Sequence, residues 1–254
     1  MYREIKPHPL LAAYVDAYWV SAVTQHSWQR ILPDTCADII FNISGDVIAV
    51  ADGELIAPHT AFLVGTMTAF QDSEMPANTA MLGIRFRAGG LNAFTGLPLQ
   101  LITDGHLSLK EAAVDWHMIL EPLLAKEISV RGKIQCIEKF LLQRLPAEHI
   151  YFRKIQHSLS LIQHAQGKIP VAALAAGAYM STRNFERYFL QSVGVSPKTF
   201  TRIVRFLEIR RQLKMQSHSH LLSLALDNGF YDHAHLTREF KAFSGESPTG
   251  YQQR

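Results

Sequence analysis

The chain has 254 residues, 48% hydrophobic and 19% charged, which suits a globular protein with two cores and excludes a fibrous or low-complexity class. No apolar run approaches the ~18 to 20 residues needed to cross a bilayer, and Met1 to His8 lack the apolar stretch of a signal peptide, so a cytoplasmic location and no membrane partner are expected. The net charge of +3 is unevenly spread: residues 151–254 hold 14 Lys and Arg against 6 Asp and Glu, and residues 1–150 hold 11 against 16. Phosphate neutralisation by Lys and Arg supplies most non-specific nucleic-acid affinity, so only the C-terminal part is expected to face a polyanion.

The first hundred residues read mostly as strand. A short helix from Pro9 to about Trp19 is expected to cover one end, followed by strands at Ile39–Ile43 and Phe62–Val64. Val47–Ala51 and Glu54–Ala57 flank Asp52-Gly53, a pair that tolerates the positive φ of a tight hairpin turn. In Leu82 to Arg87 the alternation puts Leu82, Ile84 and Phe86 on one face and Arg85 and Arg87 on the other. Two guanidinium forks on one face are candidates for holding an anionic effector. The other reading makes them internal ion-pair partners of Asp34 or Asp38. Cys36 and Cys136 stand in unrelated contexts without metal-ligand spacing, which predicts buried thiols and neither a disulfide framework nor a zinc site.

From Leu107 the period becomes helical. Ile134, Ile137, Leu141 and Leu145 form the apolar stripe of a helix over 128–145, ended by Pro146. That stripe packs either on its own domain or on the same helix of a second copy. Beyond Arg153 the pattern is all helix: one helix through Ile155, Leu159 and Ile162 to near Gly167, another opened by Ile169-Pro170, a third capped by Ser181, and a long one from Pro197 to about Met215. Two stretches, Leu174 to Phe189 and Leu224 to Phe240, repeat one design: a short apolar helix, a turn, then a helix exposing Arg and small polar groups. Both read as helix-turn-helix units. The long helix between them spans roughly 28 Å at 1.5 Å per residue, comparable to one ~34 Å turn of B-DNA.

The stretch Gly229-Phe230-Tyr231-Asp232-His233-Ala234-His235 through Phe240-Lys241, Gly245, Ser247-Pro248 and Tyr251 resembles the signature of the AraC/XylS transcriptional regulators. Ser181, Arg187, Phe189, Gly194-Val195-Ser196-Pro197 and Arg205 extend that resemblance over about 100 residues. Departures are Tyr179 where the family has glycine in the first turn, Ala234 where it often has serine, and Gln252 where it has arginine. Ile31–Asp34, Asp38–Asn42, Phe62–Gly65 and Leu82–Gly90 are similar to an uncharacterised β-rich domain often found ahead of AraC-type DNA-binding domains, which implies a sensory or assembly role.

The resulting expectation is an α+β protein. A β-rich regulatory domain over 1–110, barrel or jelly-roll-like, precedes a helical connector and candidate dimerisation element over 111–150 and an all-α DNA-binding domain over 151–254. Base-reading or phosphate-contacting candidates on the first unit are Arg183, Asn184, Glu186 and Arg187, because Arg can grip guanine and Asn adenine in bidentate fashion. On the second they are His233, Ala234, Thr237 and Arg238, with Asp232 as helix cap. Lys198 and Arg202 are phosphate candidates on the connecting helix, whereas Arg205 is expected in a structural salt bridge. The implied function is an effector-controlled, sequence-specific transcription regulator, not an enzyme and without a cofactor or metal. Its expected partners are double-stranded DNA, a small-molecule effector, RNA polymerase if it activates, and a second copy of itself. The alternative is the same DNA-binding module fused to a catalytic, alkyl-transfer-like N-terminal domain, which would require a reactive Cys36.

Overall fold

Strict alternation along the strands gives the N-terminal sheet two different faces, and the two faces serve different purposes. The computed structural model describes residues 1–49, 55–127, 129–147, 150–215 and 221–252. Among these residues are ten strands, β1 (Tyr2–Ile5), β2 (Val15–Ala22), β3 (Ser27–Ile31), β4 (Ala37–Asn42), β5 (Ile48–Ala49), β6 (Leu55–Ile56), β7 (Ala61–Val64), β8 (Gln71–Met75), β9 (Ala80–Phe86) and, after the first helix, β10 (His106–Ser108). Six form one antiparallel sheet in the order β1-β2-β9-β4-β7-β10, while β3 pairs with β8 and β5 with β6 in separate ribbons. Tyr18, Ile39, Phe41, Leu63, Leu82, Ile84 and Phe86 point to one face and are buried. Their neighbours Trp19, Ile40, Phe62 and Met81 point to the other.

The helix expected over Pro9–Trp19 is a strand for most of its length. Only Pro9–Leu11 turns, as 3₁₀, and from Val15 the chain is extended between β1 and β9. Both sheet faces are covered here, so Tyr18 and Trp19 are each buried on opposite sides; aromatic and β-branched residues fit that pleat better than a helix surface. The expected hairpin is present in its arms, with Ile48 opposite Ile56. Its Asp52-Gly53 turn lies outside the described residues.

The first face is covered by helices α1 (Gly90–Thr95), α2 (Leu109–Ala112), α3 (Val114–Lys126) and α4 (Val130–Leu142). The α4 stripe of Ile134, Ile137 and Leu141 lies in the same core as the sheet. It therefore packs within its own chain, and the segment expected as a connector is fastened to the β-rich part. An outward apolar surface occurs instead on α3, where Val114, Met118, Ile119 and Leu123 are exposed.

The C-terminal part comprises α5 (Ile150–His164), α6 (Val171–Gly177), α7 (Thr182–Val193), α8 (Pro197–Met215), α9 (Leu221–Asp227), α10 (His233–Ser244) and α11 (Pro248–Gln252). It has two cores with one helix in common. Phe200 of α8 packs with Leu174, Phe185 and Phe189, and Ile203, Phe206, Ile209 and Leu213 of the same helix pack with Leu224, Leu236 and Phe240.

Replacing Ile137, which is fully buried, by Ala is expected to destabilise the chain by about 2–5 kcal/mol. Urea unfolding at several protein concentrations checks this: the loss stays constant across concentration if α4 packs internally and grows on dilution if α4 is a dimer seam.

Candidate nucleic-acid interface and buried cavity

Each helix-turn-helix unit presents its second helix in the same way. Ser181 caps α7 by accepting a bond from the Asn184 amide at 3.3 Å, and Asp232 caps α10 by accepting from the His235 amide at 2.6 Å. The cap fixes where the helix begins, and hence which residues occupy its first exposed turns. On α7 those residues are Arg183, Asn184, Glu186 and Arg187, all exposed, while Phe185 and Phe189 point inward. On α10 they are His233, Ala234 and Arg238, with Thr237 half-buried and its hydroxyl 3.5 Å from His233 Nε2. Arg187 lies over the Tyr188 ring at 4.9 Å, a contact that restrains its direction without neutralising it.

On α8, Lys198 is exposed, but Arg202 is engaged. Its Nε donates to Glu239 Oε1 at 2.7 Å, and its guanidinium lies 5.4 Å from the Phe243 ring. Arg205 approaches the other Glu239 oxygen at 3.9 Å and stacks over Phe230 at 5.0 Å. Both arginines therefore tie α8 to α10; Arg205 is in the structural setting expected of it, and Arg202 shares that setting instead of standing free. Glu239 is the functional neighbour that the sequence reading missed.

The second face of the N-terminal sheet encloses a cavity of about 600 Å³ beneath the β3–β8 ribbon. Trp19, Ile40, Phe62 and Val64 of the sheet and Ile31 and Met75 of the ribbon supply apolar wall. Asp34, Cys36, Asp38, Asp104 and Glu111 supply polar wall, and no Lys or Arg lines the cavity among the described residues. Trp19 Nε1 donates to Asp38 Oδ1 at 2.6 Å. Burial pushes the Asp38 carboxyl up to about 7 against the opposing pull of Arg85. Burial likewise raises the Cys36 thiol far above its ordinary range, and the neighbouring Asp34 and Asp38 add to the effect.

Arg85 and Arg87 do not form an open anion cradle. Arg85 Nη1 donates to Glu4 at 3.0 Å, and its Nε lies 3.6 Å from Asp34 and 3.7 Å from Asp38. Arg87 pairs with Asp16 at 2.7 Å and donates to the Ala12 carbonyl at 2.9 Å. Arg85 thus lies beside the two aspartates named for it in the sequence reading, whereas Arg87 has Asp16 as its partner instead.

Comparison with known proteins separates the same two parts. Residues 174–254 match a family model described as a helix-turn-helix domain, and residues 3–108 match a domain of unknown function (DUF6597). A probable transcriptional regulator, LumQ of Photobacterium leiognathi, is 30% identical over 156 residues, covering 60% of this chain and 58% of that protein. An uncharacterized HTH-type transcriptional regulator of Haemophilus influenzae is 35% identical over 95 residues, covering 37% and 32%. The C-terminal segment is a helix-turn-helix domain. The chain spans about a third and somewhat over half of the length of these two relatives. Among solved structures, ToxT of Vibrio cholerae, bound to (E)-4-(8-methylnaphthalen-1-yl)but-3-enoic acid, aligns over 92% of this chain and 97% of that one with TM-score 0.48 and 12% identity.

The helix-turn-helix domain is seated on the N-terminal part at the far ends of both of its exposed helices. α7 ends at Gly194 and α10 at Gly245, each in the left-handed region, with φ of +91° and +80°. Thr66 Oγ1 donates to the Val193 carbonyl at 2.8 Å and Thr103 Oγ1 to the Gly194 carbonyl at 2.5 Å. Arg30 of β3 reaches the Ser244 carbonyl at 3.3 Å while lying over Phe70, and a Cβ on Gly245 would come within 2.7 Å of Arg30 Nη1. Both contacts satisfy carbonyls left open where a helix stops. Thr66 and Thr103 adjoin the cavity residues Gly65 and Asp104, and Arg30 belongs to the ribbon that roofs the cavity.

Tyr179, where the family has glycine, adopts φ of +53° and is 90% exposed. A left-handed backbone costs a residue with a Cβ about 1–2 kcal/mol. Tyr179→Gly is therefore expected to leave stability unchanged or raise it by up to about 1 kcal/mol, because glycine's greater unfolded-state entropy offsets part of the relief, and Tyr179→Val is expected to lower it by about 1–2 kcal/mol. Urea midpoints of the three proteins check the order Gly, Tyr, Val.

Proposed function

We propose that the protein is a sequence-specific, DNA-binding transcription regulator whose N-terminal domain controls the geometry or availability of its two DNA-reading helices. The observation that carries this reading is that two capped helices, each exposing Arg beside small polar groups in its first turns, grow from cores that share the single helix α8. At 19 residues α8 is about 28 Å long, which suits two helices entering successive major grooves on one side of a duplex.

Arg183, Asn184, Glu186 and Arg187 are assigned to the base edges or phosphates of one half-site, and His233, Ala234, Thr237 and Arg238 to the other. Lys198 is assigned to a phosphate. Arg202 contributes by holding α10 on α8, and any phosphate contact it makes has to be shared with Glu239. Effector control is supported by the cavity and by the hydrogen bonds that run from its rim to both helix ends; a molecule filling it acts only so far as it binds one arrangement of rim and roof better than another. Arg85 and Arg87, already paired, are better read as a support of the cavity wall than as its anion site.

A role without catalysis accords with the buried, protonated Cys36 thiol, a poor nucleophile for the alkyl-transfer alternative. A second copy, if paired half-sites call for one, has the exposed α3 residues as its surface, and contact with RNA polymerase belongs to an activating output. Cytoplasmic residence is part of the same proposal. Among the described residues no helix is long and apolar enough to cross a membrane.

Selection of bound fragments from random duplex DNA tests the reading. The expected product is a two-part motif with its parts about one helical turn apart; Arg187→Ala and Arg238→Ala each lose preference at one part, at about 1–3 kcal/mol. Lys198→Ala is expected to weaken all duplexes alike and to reduce the salt slope by about one. Equal loss on scrambled DNA for all three variants overturns the assignment of base reading.

A further inference from the structure

The walls of the cavity state the charge of what can fill it. Four acidic side chains line it, Asp34, Asp38, Asp104 and Glu111, with the imidazole of His106, and no Lys or Arg does among the described residues. The neighbouring guanidinium, Arg85, is shared among Glu4, Asp34 and Asp38, so its one positive charge faces three acidic groups, of which Asp38 is partly protonated near neutral pH. The remaining wall is apolar and polarizable: the Trp19 and Phe62 rings face the same space as three methionines, Met67, Met75 and Met81. Rings accept a cation against their faces, and methionine adapts to irregular bodies. A volume of about 600 Å³ falls within the range of small-molecule sites.

We propose that this cavity is a binding site for a compact organic cation, an amine or amidine carried on an aromatic or aliphatic body, with its charged end at Asp34 and Asp38 and its body between Trp19, Phe62 and the methionines. The proposal rests on the effector reading above and narrows it to a ligand class. An anionic ligand of the same shape meets like charge at Asp34, Asp104 and Glu111 in the wall. Trp19 strengthens the assignment: its indole N–H donates to Asp38, and its ring, laid against Gly83 of the sheet, belongs to the same wall.

Calorimetric titration of the full chain with matched pairs tests this: tryptamine against indole-3-propionate, 2-phenylethylamine against 3-phenylpropionate, and octylamine against nonanoate. The amines are expected to bind at least about tenfold more tightly than their carboxylate partners. Asp34→Asn and Asp38→Asn are each expected to weaken the amine about tenfold, Glu111→Gln, which does not hold the charged end, by less, and Asp115→Asn on the outside of α3 leaves it unchanged. Thermal melts of each variant confirm folding; Asp34→Asn, which leaves the Trp19–Asp38 bond in place, serves if Asp38→Asn does not fold. Equal or tighter binding of the carboxylates overturns the proposal, as does failure of every amine to bind more tightly than about 1 mM. DNA affinity measured with and without the tightest probe separates the two readings. Amine binding that leaves DNA affinity unchanged sustains the ligand class and removes effector control, whereas carboxylate binding that changes DNA affinity does the reverse.

Discussion

One helix belongs to two cores, and the DNA-binding half of the protein depends on that sharing. A helix advances about 1.5 Å and 100° per residue, so the separation and the relative azimuth of the two helix-turn-helix units are set by how many residues of α8 stand between their anchoring side chains. Phe200 is committed to the first core and Ile203 to the second, with Phe206, Ile209 and Leu213 following about one, two and three turns later. Neither unit can rotate about α8 without pulling an aromatic or aliphatic side chain from a close-packed interior. Glu239, held by both Arg202 and Arg205, fixes the second unit's exposed helix against the same rod.

The N-terminal domain adds a second hold, applied where the exposed helices stop. A helix terminus leaves carbonyls without partners, and here Thr66, Thr103 and Arg30 supply donors from another domain. Left-handed glycines at both stops keep side chains out of the way, so the approach is close. Both sets of donors sit at the margin of the same cavity, one at its rim and one in its roof. A molecule inside thus lies a few residues from the end of each exposed helix, which is the physical content of the proposed regulatory role.

The C-terminal half was largely legible in the sequence because its punctuation is local. Ser181 and Asp232 as caps, Pro197 at a helix start, and Gly194 and Gly245 at helix ends each determine backbone geometry within a few residues of themselves. The N-terminal half was legible only in part. Val15 to Ala22 carries an apolar pattern compatible with a short helix; pairing with β1 and β9, distant in sequence, makes it a strand. The cavity was not visible because its carboxylates come from separate segments around residues 34–38, 104 and 111, brought together by sheet order. The commitment of Arg202 was hidden for the same reason, since Glu239 lies 37 residues further on and only the packing of α10 on α8 makes them neighbours.

The claim that the two reading helices are held at a single separation by α8 is tested most directly by the distance between them in solution. Spin labels on Gln191→Cys in α7 and Lys241→Cys in α10, with Cys36 and Cys136 replaced by Ser, report that distance by pulsed electron spin resonance on the full chain without DNA. The account predicts one narrow distribution. A broad or multiply peaked distribution in the folded protein would contradict it.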